Sequence, residues 1–322
     1  MDAKGNMRIA VIGAGMMGQG IAQAFAMAGH EVMLESLDDE LFRTVLDRIR
    51  ADLLFLADRG LGSRGDVELI LSRITTTSDL AEALVGVDFV LETIWEDLEA
   101  KRAVFREIEA LVDSDTVIAT NTSVIRITEI AEVCIHPERV IGAHWWNPAS
   151  LVPLVEIVPG ERTSERTIRF TTELMLRAGK RPVFINKDAP GFVGNRLLHA
   201  LYREAIWIVE QGIADPATVD EVFKYGPGMR FPVLAPFEHL DMVGLNLGLA
   251  VQDYMLPFLA DSHTPSPLLQ ERVRRGECGF RTGGVGFRTW TLEEQRALRE
   301  GLMDFLAHRI TDPKQAACAP LT

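Results

Sequence analysis

Apolar and polar positions follow two rhythms in the first half of the chain. Short apolar runs predict buried strands, and apolar residues three and four apart predict helices between them. The first run, Ile9-Ala10-Val11-Ile12, passes directly into Gly13-Ala14-Gly15-Met16-Met17-Gly18. A helix is predicted behind these glycines, with Ile21, Ala22, Phe25 and Ala26 on one face, and a second strand follows at 31–34. A long helix is expected over about 37–60, with Leu41, Val45, Ile49, Leu53 and Leu56 along one face. Its other face carries Asp38, Asp39, Glu40, Asp47, Asp52 and Asp58 beside Arg43, Arg48, Arg50 and Arg59. Short strands are predicted at 73–76, 87–91, 117–119, 140–142, 151–158 and 182–185, with helices over about 97–112 and 164–178. Such alternation predicts an α/β domain with a doubly wound parallel sheet, extended at one edge.

The pattern changes after Asn186-Lys187-Asp188-Ala189-Pro190-Gly191. Beyond this punctuation only helices are predicted, over about 192–211, 216–224, 236–260, 265–276 and 292–309. The expected division is therefore 1–187 for the α/β domain and 188–322 for an all-α C-terminal domain.

The glycine run adds chemistry to this outline. Strand, Gly-x-Gly-x-x-Gly, helix and second strand follow at the spacing of a Rossmann-type dinucleotide site. Gly13 makes the tight turn, Gly15 admits a pyrophosphate close to the backbone, and Gly18 lets helix and strand approach. The pyrophosphate sits on the helix N-terminus, where free N–H groups and the helix dipole favour an anion. Glu35, ending the second strand, can accept hydrogen bonds from the ribose hydroxyls of NAD and repels the 2′-phosphate of NADP. The adjoining Ser36 is the other candidate for that contact.

Two later segments carry reactive groups. His144 lies in Gly142-Ala143-His144-Trp145-Trp146-Asn147-Pro148, after a predicted strand and so where ligands bind in open α/β sheets. Glu156 is a lone acid in the apolar run Leu154–Val158, and a buried carboxylate needs a partner. A loop between the two strands can return Glu156 to the imidazole, fixing its tautomer and raising its basicity. A hydride-transferring enzyme needs such a base to take the hydroxyl proton. Asn121-Thr122-Ser123, after another strand, reads either as ligand-binding groups or as a turn and helix cap. Asn195, early in the helix after Gly191, reads by itself as a solvated helix residue.

Together these segments resemble the 3-hydroxyacyl-CoA dehydrogenase family along nearly the whole chain. The resemblance is carried by Gly13–Gly18 with Gly20-Ile21-Ala22 and Gly29-His30, by Glu92 and Glu96 with Lys101, and by Asn121-Thr122-Ser123. It continues through His144 with Asn147-Pro148, Leu154-Val155-Glu156, Pro190-Gly191-Phe192 and Asn195-Arg196-Leu197. It implies that His144 is the base, Glu156 its orienting partner, and Ser123 and Asn195 the ligands of the substrate oxygen. It places Met16, Met17, Glu96, Lys101, Asn121, Asn147 and Arg281 at the cofactor, NAD, and implies a helical domain that forms a homodimer.

The chain departs from the family where Ser36 stands in place of the usual ribose-binding acid, Val124 of a serine, Pro153 of a lysine, Trp145 and Trp146 of two phenylalanines, and Arg281 of a lysine. Pro153 and Gly226-Pro227-Gly228-Met229-Arg230 resemble instead the branch with gulonate 3-dehydrogenase (lambda-crystallin), carnitine dehydrogenase and a pyridine-carboxylate dehydrogenase. That branch implies a small free hydroxy acid as substrate. Arg230, in a loop, can clamp its carboxylate across an interdomain cleft. The alternatives are an L-3-hydroxyacyl-CoA dehydrogenase and, from another class, a non-catalytic NAD-binding or structural protein.

Bulk properties narrow the partners. The 322 residues are 47% hydrophobic and 25% charged, as in an ordinary globular protein. A net charge of −13 argues against nucleic acid and anionic membranes, and no run has the length of a membrane span. Three cysteines, Cys134, Cys278 and Cys318, share no motif, which predicts reduced thiols and no metal site. A strand starting by Arg8 leaves no room for a secretion signal, so a cytoplasmic protein is expected.

Overall fold

The computed structural model describes residues 5–311; Cys318 lies outside the described residues. Eight strands among the described residues form one sheet: β1 (Arg8–Ile12), β2 (Glu31–Glu35), β3 (Ile74–Thr77), β4 (Phe89–Glu92), β5 (Val117–Thr120), β6 (Val140–Trp145), β7 (Leu154–Pro159) and β8 (Arg181–Phe184). Their order is β3-β2-β1-β4-β5-β6-β7-β8. The chain leaves β1 toward β2 and β3, then crosses back to β4, so the topological switch point lies outside the carboxyl ends of β1 and β4.

The sheet is mixed rather than wholly parallel. β6 and β7 pair antiparallel, while β7 and β8 pair parallel. The connection 146–153 is too short for a parallel crossover, which needs a dozen or more residues. β6 also runs further than the sequence pattern indicated, through His144 to Trp145, because each of its residues is buried and paired.

Among the described residues, seven α-helices accompany the sheet in chain order: α1 (Met16–Met27), α2 (Asp39–Ala57), α3 (Val67–Leu71), α4 (Leu80–Ala83), α5 (Leu98–Leu111), α6 (Ile127–Ala131) and α7 (Glu165–Arg177). Side-chain caps fix several of their starts: Asp38 accepts from the Glu40 and Leu41 N–H groups, Asp97 from Ala100, and Ser164 from Thr167. Alternate residues of β1 feed two apolar layers. Ile9 and Val11 pack with Phe25, Phe89 and Trp145, while Ala10 and Ile12 pack with Phe105, Ile118 and Ile127.

The helices that follow are α8 (Gly194–Glu210), α9 (Pro216–Tyr225), α10 (Pro227–Arg230), α11 (Pro236–Val243), α12 (Leu245–Met255), α13 (Pro267–Arg274) and α14 (Leu292–Thr311). The helix expected over 236–260 is broken at Gly244, whose φ of +92° ends α11. Gly226–Arg230, read as a loop, contains the helical turn α10.

The chain divides into two compact units, Met1–Asn195 with Leu302–Thr322, and Arg196–Gly301. The end of α14 thus belongs with the first unit, where Ala307 packs with Leu56 and Leu151 and Asp304 pairs with Arg59. Within Arg196–Gly301, Gly284 and Gln295 are the buried residues. Phe237, Val233, Tyr225 and Tyr254 are 81%, 79%, 76% and 72% exposed. No helix among the described residues is long and apolar enough to cross a membrane.

Candidate active site

The antiparallel register sets His144 of β6 directly opposite Glu156 of β7. Both are buried, and His144 Nδ1 lies 2.8 Å from Glu156 Oε2. The second carboxylate oxygen, Oε1, accepts the Val193 and Gly194 N–H groups at 3.1 and 3.0 Å. Burial pushes the Glu156 carboxyl up, but the His144 hydrogen bond and these N–H groups outweigh it and hold the group below the ordinary carboxylate range. An ionised carboxylate only accepts, so Nδ1 donates and Nε2 carries the free lone pair. Trp146 and Phe192 flank the imidazole, with ring centroids 5.3 and 5.7 Å away. Phe192 holds a left-handed φ of +49°, a strained conformation for a bulky residue, and the next two N–H groups are those gripped by Glu156.

A second polar cluster lies at the carboxyl ends of β4 and β5. Glu96 Oε1 accepts from Thr122 Oγ1 at 2.5 Å and from the Ser123 and Val124 N–H groups at 2.9 and 3.0 Å. Burial raises its carboxyl, but Thr122, Lys101 and the two N–H groups bring it below the ordinary range. Asn121 Oδ1 accepts the Trp145 N–H at 2.8 Å, joining the end of β5 to β6 beside His144. Asn195 Nδ2 donates to the Ser123 carbonyl at 2.9 Å. Asn121–Ser123, which the sequence left open, and Asn195, which it read by itself as a solvated helix residue, are therefore held by specific partners.

The glycine turn fits a dinucleotide. Gly13 has φ +103°, and a Cβ on Gly18 would lie 1.8 Å from the Gly13 carbonyl oxygen. Gly15 meets nothing within 4 Å of a built Cβ and caps α1 without a side-chain hydrogen bond. The turn thus leaves open space at an uncapped helix N-terminus, as a pyrophosphate requires. Met16 is 60% exposed at its rim, and Met17 packs partly against the core. Thr93 Oγ1 donates to the Gly13 and Ile12 carbonyls at 2.7 and 3.1 Å, bracing the turn from β4.

The remaining sequence candidates fall in different settings. Glu35 is buried at the end of β2; burial pushes its carboxyl up and the Gly13 N–H partly offsets this. Ser36 Oγ accepts the Asp38 N–H at 3.2 Å. Asn147 is exposed after β6. Lys101, assigned to the cofactor by resemblance, is 1% exposed and turns its ammonium inward to Glu92, 2.7 Å away. Arg230 and Arg281 lie in the second unit; Arg230 Nη1 is 3.4 Å from His239 Nε2, and Arg281 sits in a 3-10 turn. Among the described residues no group of His, Cys, Asp and Glu is arranged to hold a metal ion.

The sequence reading missed several supports. Lys180 donates to the Ala149 and Val152 carbonyls at 2.5 and 3.2 Å, pinning the loop after His144. Asp188 accepts from the Ile127 and Thr128 N–H groups at 3.0 and 2.8 Å and anchors the turn before Phe192. An acid beside the Pro190-Gly191 punctuation was a usable signal. Lys180, one of many surface-type residues by pattern, gave none.

An open glycine turn at the switch point and a buried imidazole–carboxylate pair on the same sheet accord with what the family match shows, an NAD-dependent oxidoreductase acting on hydroxyl groups. The chain belongs to the 3-hydroxyacyl-CoA dehydrogenase family, matching its NAD-binding domain at residues 8–189 and its C-terminal domain at residues 191–290. It is 34% identical over 294 residues to the 5-formyl-3-hydroxy-2-methylpyridine 4-carboxylate 5-dehydrogenase of Mesorhizobium japonicum, covering 90% of this chain and 93% of that protein. A probable 3-hydroxybutyryl-CoA dehydrogenase of Bacillus subtilis is 38% identical over 277 residues, covering 86% and 95%. Among solved structures, a 5-formyl-3-hydroxy-2-methylpyridine 4-carboxylic acid 5-dehydrogenase, an NAD-dependent dismutase, superposes with a TM-score of 0.86 at 32% identity, covering 94% of this chain and 96% of that one. The (S)-3-hydroxybutyryl-CoA dehydrogenase of Ralstonia eutropha gives 0.73 at 31% identity, covering 88% and 99%.

Proposed function

We propose that the protein oxidises the hydroxyl carbon of a small free hydroxy acid, of the 3-hydroxy acid type, with His144 and Glu156 as a general-base pair. The 2.8 Å contact between His144 Nδ1 and an ionised Glu156 carries this reading, since it leaves Nε2 free to take the hydroxyl proton. Bound NAD supplies the hydride acceptor. Ser123 and Asn195 hold the substrate oxygen, and Glu156 stabilises the imidazolium that proton transfer creates. Gly13, Gly15, Met16, Met17 and Gly18 cradle the pyrophosphate, Glu35 or Ser36 meets the ribose, and Glu96, Asn121, Asn147 and Arg281 complete the cofactor's surroundings.

The free-acid reading rests on the character of α2 and on the similarity to a pyridine-carboxylate enzyme over almost the full chain. Over 38–59, α2 and its ends carry six acids against four arginines, and one of these, Arg50, pairs with Asp47 and Glu68 at 2.8 and 3.1 Å, so this stretch is a poor match for CoA phosphates. Pro153 removes a cation beside β7, and Arg230 supplies a fork for the substrate carboxylate. A panel of hydroxy acids and acyl-CoA thioesters, followed by NADH absorbance, tests this reading. Turnover of free acids is expected; efficient oxidation of 3-hydroxybutyryl-CoA with no free acid turned over would replace it with the acyl-CoA reading.

The part at 1–187 serves the cofactor, and 188–322 serves substrate and association. Association is as a homodimer, supported by the many large apolar side chains that stand exposed in Arg196–Gly301. A monomer by light scattering at micromolar concentration would contradict it. Cys134 and Cys278 are free, in keeping with a reducing cytoplasm.

A further inference from the structure

Glu92 and Lys101 form an ion pair with side-chain exposures of 0% and 1%. Such a pair loses hydration on both sides and gives little net stability compared with apolar residues of the same volume. Its use must lie in the geometry it imposes. Both Glu92 oxygens are engaged: Oε1 by Lys101 Nζ at 2.7 Å and the Ile94 N–H at 2.6 Å, and Oε2 by Thr120 Oγ1 at 2.6 Å. Thr120 Oγ1 in turn accepts the Thr122 N–H at 3.1 Å. On its other side the Lys101 ammonium lies 3.6 Å from Glu96 Oε2. Glu96 Oε1 gathers Thr122 Oγ1 and the Ser123 and Val124 N–H groups. One buried cation therefore joins a carboxylate inside the sheet to the carboxylate that shapes the Thr122–Val124 turn, and Glu92 reaches the same turn through Thr120.

We propose that the Glu92–Lys101 pair is a positioning device: it fixes Glu96 and Thr120, and through them the turn that presents Ser123 to the substrate. Lys101 acts on the turn through Glu96. The role given to Ser123 rests on the proposed function, whereas the ordering of the turn does not.

The test compares Lys101→Met with the double variant Glu92→Gln/Lys101→Met. The single variant strands a buried carboxylate and should lower the melting temperature; the double variant removes both charges and should recover most of it. In both, amide exchange at Ser123 and Val124 in cofactor-free protein should quicken ~10-fold or more, because the turn has lost its anchor. At saturating NAD, kcat on the best substrate of the panel should fall ~30-fold or more. Wild-type exchange at Ser123 and Val124 in a stable double variant would overturn the proposal. So would a kcat unchanged at saturating cofactor in that variant. If the double variant does not fold, Thr120→Val cuts the same chain without touching a charge; faster exchange is expected and unchanged exchange overturns the proposal. The exchange measurement needs no substrate, so it fails separately from the reading of the reaction.

Discussion

The two units differ in what burial does for them. In the first, both faces of the sheet are covered except at the edge strand β8, and even its charges Glu92, Lys101 and Glu156 lie inside with hydrogen-bond partners. In Arg196–Gly301 the longer α8, the shorter α12 and the turn after it alike expose their apolar residues, with Leu197 61%, Leu249 63% and Phe258 58% exposed. A rigid, desolvated interior is where directional chemistry can be held, because an unpaired polar group there is costly and each contact is enforced. An open apolar helical array suits association, since it has most of its burial still to gain. Changes in the first unit should therefore strike turnover or its own stability, and changes in the second should strike binding.

The largest effects are expected at the imidazole. His144→Ala should reduce turnover ~10²–10⁴-fold while NAD binding persists, the usual scale for a lost general base. Glu156→Gln should also impair turnover, and the double variant should cost little more than the worse single one, because the two residues act as one unit. Near-normal turnover in either variant, measured by NADH formation, would break the assignment of chemistry to the first unit.

Arg230→Met probes the second unit and should weaken substrate binding by ~2–5 kcal/mol, the scale for abandoning a charge partner. The effect should appear in KM, with kcat little changed. A fall in kcat at unchanged KM would blur the contrast between the units.

Lys180 gives a smaller effect confined to stability. Burial holds its ammonium down to about 8 from an ordinary 10.5. Between those values the unfolded chain binds the proton and the folded one does not, so this group makes stability rise with pH across the window. Urea melts of wild type and Lys180→Met at pH 8 and 10.5 should show their difference shifting by about 2 kcal/mol in favour of wild type at the higher pH. A pH-independent difference would mean that the amine is not desolvated as its contacts indicate.

The mildest discrimination is between cofactors. With Glu35 at the end of β2, NAD should bind about tenfold or more tightly than NADP, a difference of ~1.4 kcal/mol. Titration of both is the check, and equal affinity would remove the reason for Glu35 at that position.

Much of the first unit was legible because its strands are buried on both faces and read as unbroken apolar runs. The end of β6 was not legible, because His144 is polar and a polar residue ordinarily closes a buried run. It stays in the strand because Glu156 satisfies it from across the ladder. The short helices α3, α4 and α6 span too few residues for a helical period to register. The lone acid Glu156 stood out among apolar neighbours, whereas Glu92, at the end of an equally apolar run, was noted only through resemblance.

Sequence alone determined the glycine turn and the strand–helix alternation, because these depend on local backbone freedom and on periodicity along the chain; His144 and Glu156 stood out by their place in that pattern, and Ser123 and Asn195 became candidates through resemblance. Tertiary structure decided the partners. Antiparallel return of β7 placed Glu156 opposite His144, and α5 carried Lys101 inward to Glu92. Both depend on contacts between segments separated along the chain, and the strength of a polar contact is set by how much water the surrounding fold removes.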